Sequence, residues 1–512
     1  MNCSQSRIPE PAGAGLPDEL LARLSSHVAA QMGLHFPPAK WQTLKNAFSS
    51  AAGELGFRDP EGCANWFMSA PLSKELVEAM AGYLTIGETY FLREKRSFEI
   101  LAEEIIPEIT RTRRPGEQRL RIWSAGCSSG EEAYSLAITL HRMNHLLHGW
   151  NISILATDIN PQALRKAVEG IYTEWSFRDP PVWLKENYFK KSVDGRLRLI
   201  APIRKMVTFA YLNLIEDPYP SLPSDTNAMD VIFCRNVLMY FTPELARKVV
   251  ERFHRSLVDG GWLIVSPCEV SQLLSPLFKA VNFRDAIYYQ KQPPGARQPE
   301  HRGPEPNTRL APSPPAVPEA RRAPPMAVRP QSVPPVVRPA LPLEQSCYEE
   351  ALALYERGLY PQAEHKLSAL LRPDGVNVPA TVLLCRIRAN QGQLADALLL
   401  LDQALATDKL NPGLHYLRAM ILQEQGADHE AGNSLKRALY LDQNLVVAHL
   451  ALANLARKGG RLKEYRTYLE TALTILGSCP ADEILPEAEG MTAGRLMNII
   501  GSMETRGERD GS

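Results

Sequence analysis

The chain has 512 residues, with 57 basic residues balanced by 57 acidic ones, and 45% of its residues are apolar. That length predicts about three domains, and the balanced charge gives no global attraction to nucleic acid or to an anionic membrane. The amino terminus has no charged start followed by an apolar core, no run of eighteen apolar residues occurs, and eight cysteines are scattered without a C-x-x-C pair; membrane insertion, secretion and a disulfide framework are not expected, and the compartment read here is cytoplasmic.

Residues 1–16 read as a disordered amino terminus. Leu20, Leu21, Leu24 and Val28 then recur at helical spacing, as do Leu72, Leu76 and Met80, which predicts a helical domain over 17–85. Next comes LRIWSAGCSSGEEAYS at 120–135. An apolar strand at Leu120–Trp123 runs into a small-residue loop bracketed by Gly126 and Gly130, and Glu131 and Glu132 open a helical pattern. Glycines there let the backbone approach a ligand, with helix amino-terminal amides just beyond, although tight strand-to-helix turns also use glycine for structural reasons. Ile152–Thr157 supplies a second apolar strand ending at Asp158, a carboxylate that can accept both hydroxyls of a ribose. Asn160 and Pro161 read as N-cap and first helical position, with Gly170 as the stop. Asp158 lies 32 positions after Gly126, whereas the dinucleotide fingerprint places its acid about 20 residues on and needs a G-x-G-x-x-G loop. Nicotinamide binding is thereby demoted, and S-adenosylmethionine is the better cofactor.

Val207, Phe209 and Tyr211 alternate into Asn213, and the apolar run Val231–Cys234 leads into Arg235 and Asn236. Thr242 and Pro243 open another helix, which Gly260 is expected to close before a strand at Trp262–Val265. In a doubly wound α/β sheet the ligand sits beyond the carboxyl ends of the strands, so Ser124, Asp158, Asn213 and Asn236 would line one crevice. From 291 to 345 the chain has sixteen prolines, no aromatic residue and eight basic against four acidic residues. Such a linker cannot build a core, and its semi-extended form is expected to hold the next domain away while allowing reorientation. Gly358, Gly392, Gly426 and Gly460 then recur every 34 positions, as do Ala363, Ala397 and Ala431, with Tyr465 in the alanine's place in the last unit. This is tetratricopeptide spacing, and it predicts an all-α solenoid over 346–476, followed by a capping helix and polar tail over 477–512. Such surfaces bind peptides or proteins; packing of the solenoid on the catalytic domain is the alternative.

Six segments in order, IGETYFLRE at 86–94, WSAGCSSGEEAYS, ATDIN, GIYTEWSFR at 170–178, LNLIED and FCRNVLMYF at 233–241, make the chain resemble the chemotaxis-receptor glutamate methyltransferases of the CheR type over roughly residues 20–290. The resemblance implies an S-adenosylmethionine-dependent methyltransferase domain at 86–290, with a small inserted β-subdomain at about 171–205. It implies methyl esterification of glutamates on the cytoplasmic helices of a methyl-accepting receptor, with S-adenosylhomocysteine as product. Gly87, Thr89, Arg93, Gly126, Glu131 or Glu132, Asp158, Asn213, Leu214, Arg235 and Asn236 would then bind cofactor. Arg93 would lie near the reacting methyl and Tyr240 near the transfer site, with core packing as the other reading of Tyr240 and Phe241. Gly87 sits at a variable position of the family. The helical lead-in would help dock the receptor helix, where Lys40, Lys45 and Arg58 could meet acidic residues unless they form an ordinary solvated face. The short turn Ser192–Gly195 favours an enzyme independent of a receptor tether, and Ser266-Pro267-Cys268-Glu269 replaces the more common Gly-His-Ser-Glu.

No catalytic triad or metal site is required, because a glutamate with an unperturbed pKa near 4.3 is already an anionic nucleophile at neutral pH. Two alternatives stay open: a methyltransferase for another protein or a small acid, and an inactive repeat-based scaffold. Base-labile label from a methyl donor separates the first, and failure to bind S-adenosylmethionine would support the second.

Overall fold

The computed structural model describes residues 16–293 and 343–500, apart from 70–73, 86, 115–116, 179, 193–194, 216–218, 270–273, 275–276, 372–376, 489–490, 495 and 498–499. The expected disordered terminus, nearly all of the Pro-rich linker, the polar end of the tail, Ile86 of the 86–94 segment and Glu216 and Asp217 of LNLIED lie outside the described residues.

Among the described residues ten strands form two sheets: β1 Arg119–Ala125, β2 Asn151–Asp158, β3 Ile171–Tyr172, β4 Phe189–Lys191, β5 Leu197–Leu199, β6 Val207–Tyr211, β7 Met229–Phe233, β8 Leu257–Ile264, β9 Phe278–Phe283 and β10 Ala286–Lys291. The large sheet has the order β6-β2-β1-β7-β8-β10-β9. Its first five strands are parallel, and β10 runs antiparallel to both β8 and β9. Every residue of β1 and β7 is buried, as expected of strands covered by helices on both faces. Ile122 belongs to the core of one face with Leu136 and Ile138, while Trp123 belongs to the other with Phe253 and Leu263. The one polar atom of the Trp123 ring is satisfied, its Nε1 donating to Thr157 Oγ1 at 2.9 Å. With β2 on one side of β1 and β7 on the other, the strand order reverses there and a crevice opens at the carboxyl ends.

The expected punctuation is present in the helix Pro161–Glu169, where Asn160 Oδ1 accepts from the amides of Gln162 and Ala163 and Gly170 adopts φ +61°. Thr242 caps the helix Pro243–Ser256 in the same way. Gly260 does not close that helix. The helix ends at Ser256, and Gly260 lies inside β8 at φ +80°, where the register against β7 shifts between Met229 and Val231. Here glycine supplies a left-handed residue to an irregular strand.

Four helices, Asp18–Met32, Trp41–Leu55, Pro60–Ser69 and Lys74–Leu84, bury Leu21, Leu24, Val28, Phe48, Phe67 and Met80 together. The inserted sheet is antiparallel in the order β3-β5-β4. Its β4–β5 turn is tight, Ser192 N donating to Arg196 O at 2.7 Å, with Val193 and Asp194 outside the described residues.

The chain divides into two compact units, one of residues up to 293 together with those from 371 on, the other of 294–370. In the second, the helices Leu343–Glu356 and Tyr360–Ser368 flank Gly358 at φ +71°. In the first, three helix pairs follow at the same period: Val378–Asn390 with Leu394–Thr407, Pro412–Glu424 with Asp428–Leu441, and Val446–Lys458 with Leu462–Gly477. Gly392, Gly426 and Gly460 turn between the helices at φ +80°, +80° and +72°. Ala397 and Ala431 are fully buried, and Tyr465 is buried where the last unit departs from alanine.

These three pairs do not stand away from the sheet as the linker led us to expect. Arg119 at the start of β1 donates to Glu424 Oε2 at 3.1 Å, and Asn227 Nδ2 donates to Glu424 Oε1 at 2.7 Å. Asn151 at the start of β2 donates to Glu424 O. Leu222 packs among Cys385, Ala389 and Leu394, inside the hydrophobic core of the repeats. The physical reason is that polar strand starts and repeat turns satisfy one another at the amino edge of the sheet. That edge is the opposite end from the crevice.

Candidate active site

Three loops meet at the carboxyl ends of the parallel strands. The first follows β1. Its Gly126 and Gly130 adopt φ +87° and +91°, but the space a side chain would need at Gly126 is occupied by Val237, and at Gly130 by Ala167 at 2.8 Å. Glycine is therefore required here by packing as well as by backbone conformation. Asp158, at the end of β2, fastens this loop: one carboxylate oxygen accepts from Ser128 N at 2.8 Å and the other from Asn160 N at 2.8 Å. Burial pushes the Asp158 carboxyl up, and the main-chain amides oppose that rise. The side chain remains partly open to solvent.

The second loop is the 87–94 segment. Gly87 lies against Ser128, whose Oγ donates to Gly87 O at 3.3 Å. Phe91 anchors the loop to the inserted sheet by packing on Tyr172, Phe177 and Phe189. Leu92 N donates to Ser135 Oγ at 2.9 Å. Thr89 is half-buried in this loop. Arg93 turns Nη1 onto Glu88 O at 2.7 Å, and the Arg178 guanidinium pairs with Glu88 and stacks on Trp175 and Tyr90 at the rim.

The third loop follows β7 and carries Arg235, Asn236 and Tyr240. Arg235 joins all three loops: it pairs with Glu132 at 3.3 Å and Glu94 at 3.1 Å and donates to Arg93 O. Glu132 also accepts from Ser124 Oγ at 2.8 Å. Burial pushes the Glu132 carboxyl up, with Arg235 and the Ser124 hydroxyl pulling it back. Its side chain keeps 14% of its accessible surface. Glu131 is buried instead, accepting from Ser129 Oγ and Ser176 Oγ at 2.8 and 2.9 Å. The two glutamates thus have different surroundings despite being neighbours.

Asn213 and Leu214 follow β6 and are both buried; Asn213 Oδ1 accepts from Ile215 N, and Leu214 O accepts from Tyr219 OH and Arg252 Nη1. Tyr240 is half-buried against the amino-terminal helices, under Lys40 Nζ at 5.2 Å from its ring, and its carbonyl accepts from His35 N. Burial pushes its phenol up while Arg93 pulls it down. The packing reading of Tyr240 thus has contacts behind it, with Lys40 and the amino-terminal helices. Lys45 pairs with Asp18 across the exposed helical face.

Sequence reasoning singled out neither Glu94 nor Glu269. Glu94 stood in a quoted motif, and its backbone at φ +55° gives no signal in the sequence. Leu92, Glu94, Ser128 and Asn236, all non-glycine, have positive φ in these three loops, a concentration of backbone strain typical of functional sites. Cys127 and Cys234 are buried with their thiols pushed up by burial, so they remain neutral filler. Among the described residues there is no cluster suited to a metal ion, and no helix long and apolar enough to cross a membrane.

A seven-stranded sheet with a glycine loop after its central β1, a carboxylate at the end of β2 and polar strand ends at one edge is the layout expected of an S-adenosylmethionine-dependent methyltransferase. Residues 87–286 match the family model described as CheR methyltransferase, SAM binding domain. The chain is 39% identical over 219 residues to a chemotaxis protein methyltransferase 2 of Vibrio cholerae, covering 43% of this chain and 74% of that protein. It is 31% identical over 271 residues to a chemotaxis protein methyltransferase of Borreliella burgdorferi, covering 52% of this chain and 93% of that one. A chemotaxis protein methyltransferase 1 of Pseudomonas aeruginosa is 34% identical over 219 residues, covering 42% and 77%. The chain belongs to the CheR family of chemotaxis protein methyltransferases, and its cofactor is S-adenosylmethionine.

Proposed function

We propose that this enzyme converts glutamate side chains on the cytoplasmic helices of a chemoreceptor into methyl esters. The observation that carries the reading is the Arg235 junction, which ties the 87–94 loop, Glu132 and the loop after β7 into one wall of the crevice. The donor set suits the cofactor. Asp158 offers a partly open carboxylate for ribose hydroxyls, and Glu132, the more accessible of the two glutamates, offers one for the ammonium group. Asn213 and Leu214 would flank the adenine, and Gly87, Thr89 and Gly126 would line the approach.

When bound, the cofactor supplies an electrophilic methyl on a sulfonium. With Asp158 and Glu132 holding that group, the glutamate oxygen would bond to the methyl carbon and the electron pair of the broken carbon–sulfur bond would stay on sulfur. Opposite charges cancel along this path, so a pocket that excludes water and aligns the groups favours the transition state. Arg93 would orient the carboxylate from one side, since a tight bidentate clamp would reduce its nucleophilicity, and Tyr240 would aid alignment. No proton has to be removed from the nucleophile.

The repeats would recruit a protein partner. A groove of about 700 Å³ between the helices Leu394–Thr407 and Asp428–Leu441 is lined by Lys409, Lys436 and Arg437 and by the exposed Leu410 and Tyr440. Its charge and apolar surface suit an acidic peptide segment.

The test incubates the full chain with methyl-labelled S-adenosylmethionine and receptor-bearing membranes. Receptor label released as methanol by mild base supports the reading. Base-stable label, or transfer only to other acceptors, overturns it.

A further inference from the structure

The sharpest unassigned feature near the crevice is the carboxylate of Glu269, 7% exposed in the short turn Pro267–Glu269 after β8. One of its oxygens accepts from Val237 N at 2.7 Å and Met239 N at 3.3 Å. The other accepts from Asn236 N at 2.8 Å and Ser266 N at 3.1 Å. Three main-chain amides of the loop after β7, those of Asn236, Val237 and Met239, thus meet a single carboxylate. Asn236 presents its amide there at φ +60°, a left-handed conformation that is uncommon for a residue with a side chain and that asparagine adopts more readily than most. Ser266 extends the network, accepting from Asn236 Nδ2 at 3.1 Å and donating to Glu94 Oε1, while Glu94 pairs with Arg235.

We infer that Glu269 is a positioning residue for methyl transfer: it holds the loop after β7 in the form that keeps Arg235 on Glu132, Glu94 and the Arg93 carbonyl. It would touch neither cofactor nor glutamate. Four main-chain donors around a buried carboxylate form a mould for an anion, so the neutral isostere Glu269→Gln, whose amide nitrogen has no acceptor to meet there, should release part of the loop without emptying the space. The transfer arm of this inference rests on the proposed reaction, whereas its structural arm does not.

The experiment compares wild type and Glu269→Gln as full chains, with Glu269→Asp as the conservative variant. Amide hydrogen exchange at Asn236, Val237 and Met239 should accelerate by about 10-fold to 100-fold in Glu269→Gln, the effect of losing a charge-assisted hydrogen bond. Receptor methylation should show a kcat lower by about 100-fold, the scale of a misplacement of about 1 Å. Affinity for S-adenosylhomocysteine should fall by less than kcat does, because Asp158 keeps its own main-chain donors Ser128 N and Asn160 N while Arg235 and Asn236 shift with the loop. Glu269→Asp should recover part of kcat and of amide protection. Unchanged exchange at these three amides overturns the inference, as does a loss of kcat matched by an equal loss of cofactor affinity and of folded fraction. Wild-type protein that transfers no methyl to receptors defeats the proposed function alone, and the exchange arm still decides the role of Glu269.

Discussion

Replacing Glu424 by alanine tests how firmly the helix repeats are joined to the catalytic sheet. Glu424 and Arg119 each keep only 6% of side-chain surface, and the pair is completed by Asn227. Removing Glu424 leaves Arg119 with one long contact, to Gly392 O at 3.4 Å. Burial pushes the Arg119 guanidinium down to about 10, with Glu424 drawing it back up, so Glu424→Ala leaves a buried guanidinium without its carboxylate. Breaking a buried pair from one side costs about 3–5 kcal/mol. With a urea m-value of about 2–3 kcal/mol per M, the unfolding midpoint should fall by roughly 1–2.5 M. Glu424→Leu combined with Arg119→Met should recover most of that loss, because replacing both charges by apolar groups of similar volume removes the desolvation penalty as well. Urea titrations followed by far-ultraviolet circular dichroism measure both effects. A Glu424→Ala midpoint within about 0.2 M of wild type would refute the reasoning, since it would mean that the pair is solvated and the repeats are not seated on the sheet.

Gly126→Ala should destabilise the fold by about 1–3 kcal/mol, because the new methyl group meets Val237 and φ is +87°; adding Val237→Ala should recover the steric part only, as thermal melts of the two variants would show. Glu132→Gln should weaken S-adenosylhomocysteine binding by about 1.5–3 kcal/mol, and Glu131→Gln by clearly less, in parallel calorimetric titrations. Burial raises the carboxyls of Asp158 and Glu132 above the usual carboxylate range, and binding requires their ionised forms. Affinity should therefore be full well above those raised values and fall on acidification at a higher pH than unperturbed carboxylates near 3.9–4.3 would give. In Asp158→Asn the part of that fall due to Asp158 should vanish, a difference readable from titrations between pH 5 and 8.

Much of the site was legible because it is built from local punctuation. Gly126 and Asp158 stand where strands end, Gly130 precedes the helix Glu131–Arg142, Asn160 and Thr242 announce helices, and glycines at a 34-residue interval mark the repeat turns. What escaped notice depends on partners far apart in sequence. Glu269 stands in the Ser266–Glu269 departure, but nothing local in the sequence shows that its carboxylate takes amides 30 to 33 positions earlier. Glu424 lies 305 positions from Arg119, and no period or motif relates them. The proline linker suggested separation, yet apolar and polar groups at the strand starts found their partners on the repeats. The hairpin of β9 and β10 was within reach, since FKAVNF and AIYYQK flank the two-residue turn Arg284-Asp285. Gly260 was misplaced because glycine after a helical pattern usually stops the helix, whereas here the chain had already entered β8.

The central claim is that the crevice at the carboxyl ends of β1, β2, β6 and β7 holds the cofactor. Its most direct test is calorimetric titration of the full chain with S-adenosylhomocysteine, beside Asp158→Ala. Micromolar binding that the substitution weakens by about 1–3 kcal/mol, the scale of an unmade charged hydrogen bond, is the predicted result. Absence of binding by folded wild-type protein, or equal affinity in Asp158→Ala with its fold intact, would contradict it.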